Sequence, residues 1–416
     1  MKKLRSLILI SFSGFISSIS YGESAKIDFR HSIHRYLEKL PQDPFSNFKR
    51  KMESGIIKLN FGSEKKYLSS LLDELTISPH SQLLVYSTTS LQLSRISPTN
   101  PRAIYFTDDI YLGYVPGGQI EIIGIDPQLG AIPYIFNLPK ENDFKHPTIY
   151  RSKRCMNCHA SPDIGGAPGL LIASVIPGDG GGSIDAFRKK ISGHGVPYEK
   201  RFGGWHITGR HPFVETWANQ IGEMRDGNIL KIPNPPGKYF TWDKYLTEKS
   251  DLIPHLLLEH QIGFTNRCIA ITYKFRELKI LNRDSININL IEEETQSLLS
   301  YILFKNEALL PENKINSETQ YVLDFENSST RNQKGKDLRK LNLKTRLFNL
   351  RCSYMIFSNS FSGLPSVIKD CLINKLHLIL SCDQKKIPPA FSYLGNDERK
   401  IIKQILSTSL PGFPVD

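Results

Sequence analysis

The chain is poor in sulfur, with six cysteines and five methionines among 416 residues. That count excludes a disulfide-dense scaffold. Beyond the N-terminus no stretch approaches 18 uninterrupted apolar residues, so no internal membrane span is expected. The glycine-rich run Pro177-Gly178-Asp179-Gly180-Gly181-Gly182-Ser183 lacks the Gly-Lys-Ser/Thr ending of a phosphate loop, which argues against nucleotide binding. Lysines and arginines are scattered rather than gathered into an arm, and no nucleic-acid module appears, so no nucleic-acid partner is expected. No internal repeat is present. There is one Cys-x-x-Cys run, and neither a second copy nor a His-x-x-x-His run accompanies it.

What the chain does have begins at its first residues. Lys2, Lys3 and Arg5 precede an apolar stretch from Leu7 to Ile19, and Ser20-Tyr21-Gly22 offers small residues where a signal peptidase reads. We expect residues 1–22 to be a signal peptide and the remaining chain of about 390 residues to work in the periplasm or cell envelope. Taking those three charges from the formal +12 leaves about +9. A basic exported protein suits an acidic redox partner or a peripheral contact with an anionic membrane surface.

The single run Arg154-Cys155-Met156-Asn157-Cys158-His159 reads as a covalent haem c attachment site. Two intervening residues on a tight helical turn separate the thiols correctly for two vinyl groups, and the adjacent imidazole lies beneath the iron. A zinc half-site would need two further ligands that no second motif supplies. A thioredoxin-like redox pair would not need His159 and would normally follow a strand in a βαβ unit. One motif means one haem c, which leaves out a di-haem peroxidase. Export and covalent haem attachment support each other.

The sixth iron position decides the chemistry, because Met or a second His there suits electron transfer whereas an open position permits ligand or peroxide chemistry. Met224 is the one methionine at a comfortable distance downstream, although ordinary packing explains it equally. His194 sits between Gly193 and Gly195, where the backbone could approach a flat cofactor closely. His206 and His211 flank Ile207 to Arg210, and His260 lies on the apolar stripe Leu257–Phe264–Cys268–Ile271 of a helix. His194, His211 and His260 are therefore the candidates for sixth ligand or distal residue. Within Gly166 to Leu170, which resembles the Gly-Pro-Leu turn of small cytochromes c, Pro168 is the expected acceptor for the His159 ring N–H. Arg201, with Arg151 and Arg154, could pair with haem propionates.

The remaining cysteines, Cys268, Cys352, Cys371 and Cys382, allow three disulfide connectivities or four buried thiols. The expected fold class is α+β, mostly helical, with a small antiparallel sheet in the N-terminal half and a glycine-rich haem-binding segment. After the signal peptide, residues 26–146 form a helical and β-sheet region, 147–234 the haem attachment segment, and 235–416 a helical region packing on the haem. Short β-rich runs at 83–87, 103–106, 111–115 and 119–125 are punctuated by turn residues such as Pro116-Gly117-Gly118. Helices are expected from Pro254 to about Leu278, and over 291–304, 338–358, 364–380 and 397–407, with 312–336 as loop.

Several blocks of this chain resemble a family of exported bacterial proteins carrying one cytochrome-c-type motif. They include Leu84 to Gln92, Pro101 to Asp109, Asp126 to Gly130, Arg201 to Gly209, Leu258 to Gln261, Leu343 to Phe348 and Cys352 to Tyr354. The resemblance implies haem binding and matched histidines at His194, His211 and His260. It departs where a further histidine is common and Thr216 stands here, although Asn219 matches, and His206 replaces a usual aromatic residue. The expected function is one-electron transfer in the envelope. The alternatives are a haem enzyme, peroxidase-like or a small-oxide reductase, with an open sixth site, or a haem-dependent sensor or envelope interaction protein.

Overall fold

The computed structural model describes residues 27–139, 146–187, 193–209, 215–281, 292–310, 315, 319–328 and 336–415. The expected signal peptide and His211 lie outside these residues. The class is α+β: a six-stranded antiparallel sheet in the N-terminal half, two small two-stranded sheets, and nine α-helices among the described residues.

Two helices precede the sheet. Asp43 caps the first, α1 (Pro44–Glu53), by accepting from the Ser46 N–H at 3.0 Å, with Pro44 in the first turn. Ser63 caps α2 (Glu64–Glu74) in the same way, and its Tyr67, Leu68, Leu71 and Leu72 recur at helical spacing and are buried. The strands then follow as a meander: β1 (Leu83–Val85), β2 (Arg102–Phe106), β3 (Ile110–Tyr114), β4 (Gln119–Asp126), β5 (Gly130–Asn137) and β6 (Tyr150–Arg151), paired in chain order. Gly117, at φ 69°, allows the tight β3–β4 turn.

Register sorts the side chains into two faces. Ile104 pairs with Gly113 and Gly113 with Glu121, while Tyr111 pairs with Ile123 and Ile123 with Pro133. Directly opposed residues share a face, so Ile104, Tyr111, Gly113, Glu121, Ile123 and Pro133 stand together. The other face, with Ala103, Tyr105, Ile110, Leu112, Ile120 and Ile122, packs with α1 and α2 in one hydrophobic core. Both faces are therefore covered, which explains why the strands read as continuous apolar runs rather than a clean alternation.

A short helix, α3 (Met156–His159), follows β6, and then come the hairpins β7 (Val175–Pro177) with β8 (Ser183–Ala186) and β9 (Gln220–Arg225) with β10 (Asn228–Pro233). Helix α4 (Leu252–Leu281) has 30 residues and is buried on all sides from Leu252 to Thr265. Such a helix forms the centre of a core, and α4 contributes to both: Leu256, Leu257 and Phe264 to the second core, Ile269 and Tyr273 to the first. Around it pack α5 (Glu292–Ile302), α6 (Gln320–Asn327), α7 (Asn359–Ser362), α8 (Ser366–Ser381) and α9 (Asn396–Ser409). No described helix is long and apolar enough to cross a membrane.

Two expectations are corrected. Residues 312–336 contain a helix, α6, capped by Thr319 and burying Tyr321, Val322 and Phe325. The stretch 338–358 is not an α-helix but two 3₁₀ turns joined by irregular chain. The Asn342 carboxamide accepts from the backbone N–H groups of Lys344 and Thr345, and Leu343 turns to φ 56°. That local side-chain bonding competes with helix formation, while Leu343, Leu347 and Phe348 are buried all the same.

Candidate functional site

Helix α3 is a single turn built on Cys155, whose carbonyl accepts from the Cys158 N–H at 3.2 Å and the His159 N–H at 3.0 Å. Residues three apart on such a turn present their side chains to one side, so Cys155, Cys158 and His159 all line one cleft of about 420 Å³. Cys155 is half-buried, Cys158 is exposed, and all six cysteines of the chain are free thiols. Burial raises the Cys155 thiol above its usual range, partly offset by Ser152.

His159 is held by reciprocal bonds. Its Nδ1 lies 3.0 Å from the Gly169 carbonyl, and the Gly169 N–H donates to the His159 carbonyl at 2.8 Å. An Nδ1–H donor in that contact leaves Nε2 as the ring's lone-pair nitrogen. Burial, with the Arg102 charge adding to it, lowers the His159 pKa against the Gly169 bond, which favours the unprotonated ring that ligation requires. The turn that bears Gly169 is itself fixed from both sides. Asn266 of α4 bonds Leu170 twice, accepting its N–H and donating to its carbonyl, each at 2.8 Å. Pro168 accepts from the Ala131 N–H of β5 at 2.9 Å. The carbonyl that orients His159 therefore belongs to Gly169 and not, as expected, to Pro168, whose oxygen is committed to the sheet.

The cleft floor is the sheet face defined above, with Ile104, Gly113, Glu121 and Ile123; Leu258 and Ile262 of α4 and Trp205 line it too. A volume of this size and a mainly apolar lining are typical of cofactor sites. Gly113 adds no side chain to the floor, and a Cβ there would stand in ordinary contact, 3.4–3.5 Å from Arg102, Ile104 and Glu121. On that floor Arg102 Nη1 donates to Glu121 Oε2 at 2.7 Å. Glu121 Oε1 also accepts from Ser90 and, at 3.0 Å, from Gln92. Burial alone would raise the Glu121 pKa, but Arg102 and the two hydrogen-bond donors hold it below the usual carboxylate value. This pair was missed by sequence reasoning; an Arg and a Glu on otherwise apolar strands were its only trace.

The other expected residues stand elsewhere. Arg201 is buried and ion-pairs with Glu259 at 3.2 Å while its Nε donates to the Val196 carbonyl at 2.6 Å. It is thus occupied, and it does not line the cleft. His194 and His260 bond to each other, Nδ1 to Nδ1 at 2.9 Å, and His260 Nε2 meets Ser353 Oγ at 2.8 Å. Tyr301 and Phe304 stack on both rings. His260 and the cleft-lining Leu258 and Ile262 project from different sides of α4, so neither histidine of the pair faces His159's cleft. Met224 is exposed on β9. Arg151 Nη2 donates to the Tyr36 carbonyl at 2.5 Å. Among the described residues no His or Met other than His159 lines the cleft, and no three His, Cys, Asp or Glu side chains gather as a metal-ligand set, as a zinc reading would need. Compared with family models, with curated proteins and with solved structures, the chain gives no match.

Proposed function

We propose that this protein is an exported c-type cytochrome that carries one covalently attached haem and transfers single electrons in the cell envelope. One observation carries the reading: two free thiols and an imidazole with an oriented Nδ1 share one apolar cleft of about 420 Å³. Cys155 and Cys158 would form the two thioethers, and His159 Nε2 would be the proximal ligand. The bound haem would supply a ferrous/ferric couple. Ile104, Ile123, Leu258 and Ile262 give the cleft an apolar wall, which would disfavour added charge on the group and so affect its potential. Cys158 is exposed, so the attachment edge is open to a partner, and the formal charge of about +9 left after removal of Lys2, Lys3 and Arg5 suits an acidic one.

A second reading, a haem enzyme or sensor with an open sixth position, is supported by the cleft having no further His or Met among its described lining residues. The test is expression with the c-type haem attachment machinery in a periplasm. A pyridine haemochrome with the position expected for two thioethers, absent from Cys155→Ala/Cys158→Ala, supports the proposal. A wild-type protein without haemochrome overturns it. Low-spin ferric iron indifferent to cyanide then favours electron transfer, and high-spin iron that binds it favours the second reading.

A further inference from the structure

Among the described residues Arg102 is the only lysine or arginine lining the cleft, and Glu121 the only carboxylate. The two lie astride Gly113, which has no side chain to separate them from the open volume. A guanidinium carries five N–H donors in a planar fork. Here Nη1 meets Glu121 and Nε is buried without an acceptor, closed off from the open volume, which leaves the terminal Nη groups as the part of the fork that lines the cleft. Glu121, in contrast, has a donor on each oxygen, Arg102 at Oε2 and Ser90 and Gln92 at Oε1. The donor surplus therefore lies with Arg102, and an unpaired buried donor is costly to leave so.

We infer that Arg102 is the oxyanion-binding residue of this cleft, presenting its unused N–H groups to a carboxylate-like group of the occupant while Glu121 holds it in place. The inference rests on the haem reading. Its occupant is either a propionate of the haem or a small oxyanion admitted beside it, and the recognition chemistry is the same. An apolar cleft cannot take in an uncompensated anion cheaply, and this side chain is the one counter-charge among the cleft's described lining residues. Glu121 already shares it, so the incoming anion is held moderately rather than tightly.

The experiment uses the haem-loaded protein, with Arg102→Gln, Arg102→Lys and Glu121→Gln, and formate as the anion probe. The haemochrome of each variant is read first, so that failure of haem attachment in the wild type counts against the haem reading and not against this one. With a propionate as occupant, Arg102→Gln lowers the midpoint potential, Arg102→Lys restores it only in part because an ammonium lacks the fork, and formate leaves the wild-type Soret band in place. With an added oxyanion as occupant, formate shifts the wild-type Soret band saturably and Arg102→Gln weakens that response by about tenfold or more, the worth of one charge-assisted hydrogen bond. Should Arg102→Gln not fold, Glu121→Gln decides, since removing the competing carboxylate tightens formate binding or raises the potential. A potential and a formate response that match the wild type in these variants, or a full restoration by Arg102→Lys, overturn the inference.

Discussion

Two histidine environments in this molecule invite comparison: His159 beside its cleft, and the His194–His260 pair inside the helical core. Both are secured by hydrogen bonds to one ring nitrogen, yet they differ in what happens to the other. His159 gives Nδ1 to the Gly169 carbonyl and keeps Nε2 on a ring that lines open volume. His260 gives Nδ1 to His194 and Nε2 to Ser353, so both nitrogens are consumed and aromatic rings cover the faces. Availability for ligation is thus set by the partner of the second nitrogen, not by burial or by neighbouring glycines.

The largest expected effect breaks the cleft. Gly113→Phe would fill the floor, and overpacking of about 1–3 kcal/mol is enough to cut Soret absorbance per protein by about tenfold. The haem-free fold should keep its melting temperature, measured by circular dichroism. A loaded Gly113→Phe protein with wild-type absorbance would show that the cleft is not where the cofactor lies.

Next, His260→Ala should cost about 2–5 kcal/mol by leaving His194 and Ser353 unpaired around a void, measured by urea unfolding. Its Soret position and potential should match the wild type. A shifted Soret band would place the pair on the iron after all.

The buried histidines also predict acid sensitivity. Burial lowers His206, His255 and His260 to about 3 and His34 to about 4, all from 6.5. Below 6.5 the unfolded chain binds protons that the native chain does not, so stability falls as pH falls from 6.5 toward 3. Glu259 and Glu307, pushed by burial from 4.5 to about 7, act in the opposite sense between those values. The urea midpoint should therefore drop most steeply below pH 4.5. His255→Phe, which removes one such group, should flatten the slope there by about 1.4 kcal/mol per pH unit.

Smaller effects probe the support of His159. Asn266→Ala removes both bonds to Leu170 and should cost about 1–2 kcal/mol, with a changed potential as the Gly169 carbonyl loosens. Pro168→Ala should change neither, because the oxygen it offers the sheet is a backbone atom. A shift in potential from Pro168→Ala would show that the proline ring itself, and not only its carbonyl, holds the turn that bears Gly169.

Much of this arrangement was legible in the chain. The Cys155–His159 run marked three residues that line the cleft, and turn residues between β-branched runs placed β2 to β4, since those signals are local. The misses share a physical cause. Arg201 looked like a free cation until Glu259, far along the chain, was brought beside it. Arg102 and Glu121 became a pair only through strand register, which a sequence pattern does not specify residue by residue. The choice of Gly169 over Pro168 turned on a reciprocal backbone bond at His159. The stretch 338–358 had helical spacing of apolar residues but carried Asn342, whose side chain captures the backbone first.

The Asn266 clamp has a consequence for the order of events as the chain folds. The segment bearing the thiols and the helix residue that pins its far end are separated by about a hundred positions, 96 between Leu170 and Asn266. Closing a loop of that length is slower than forming the one-turn helix at Cys155. If a haem is attached there as proposed, attachment before α4 docks would act on an open site, and the docking of α4 would then close the wall as a latch.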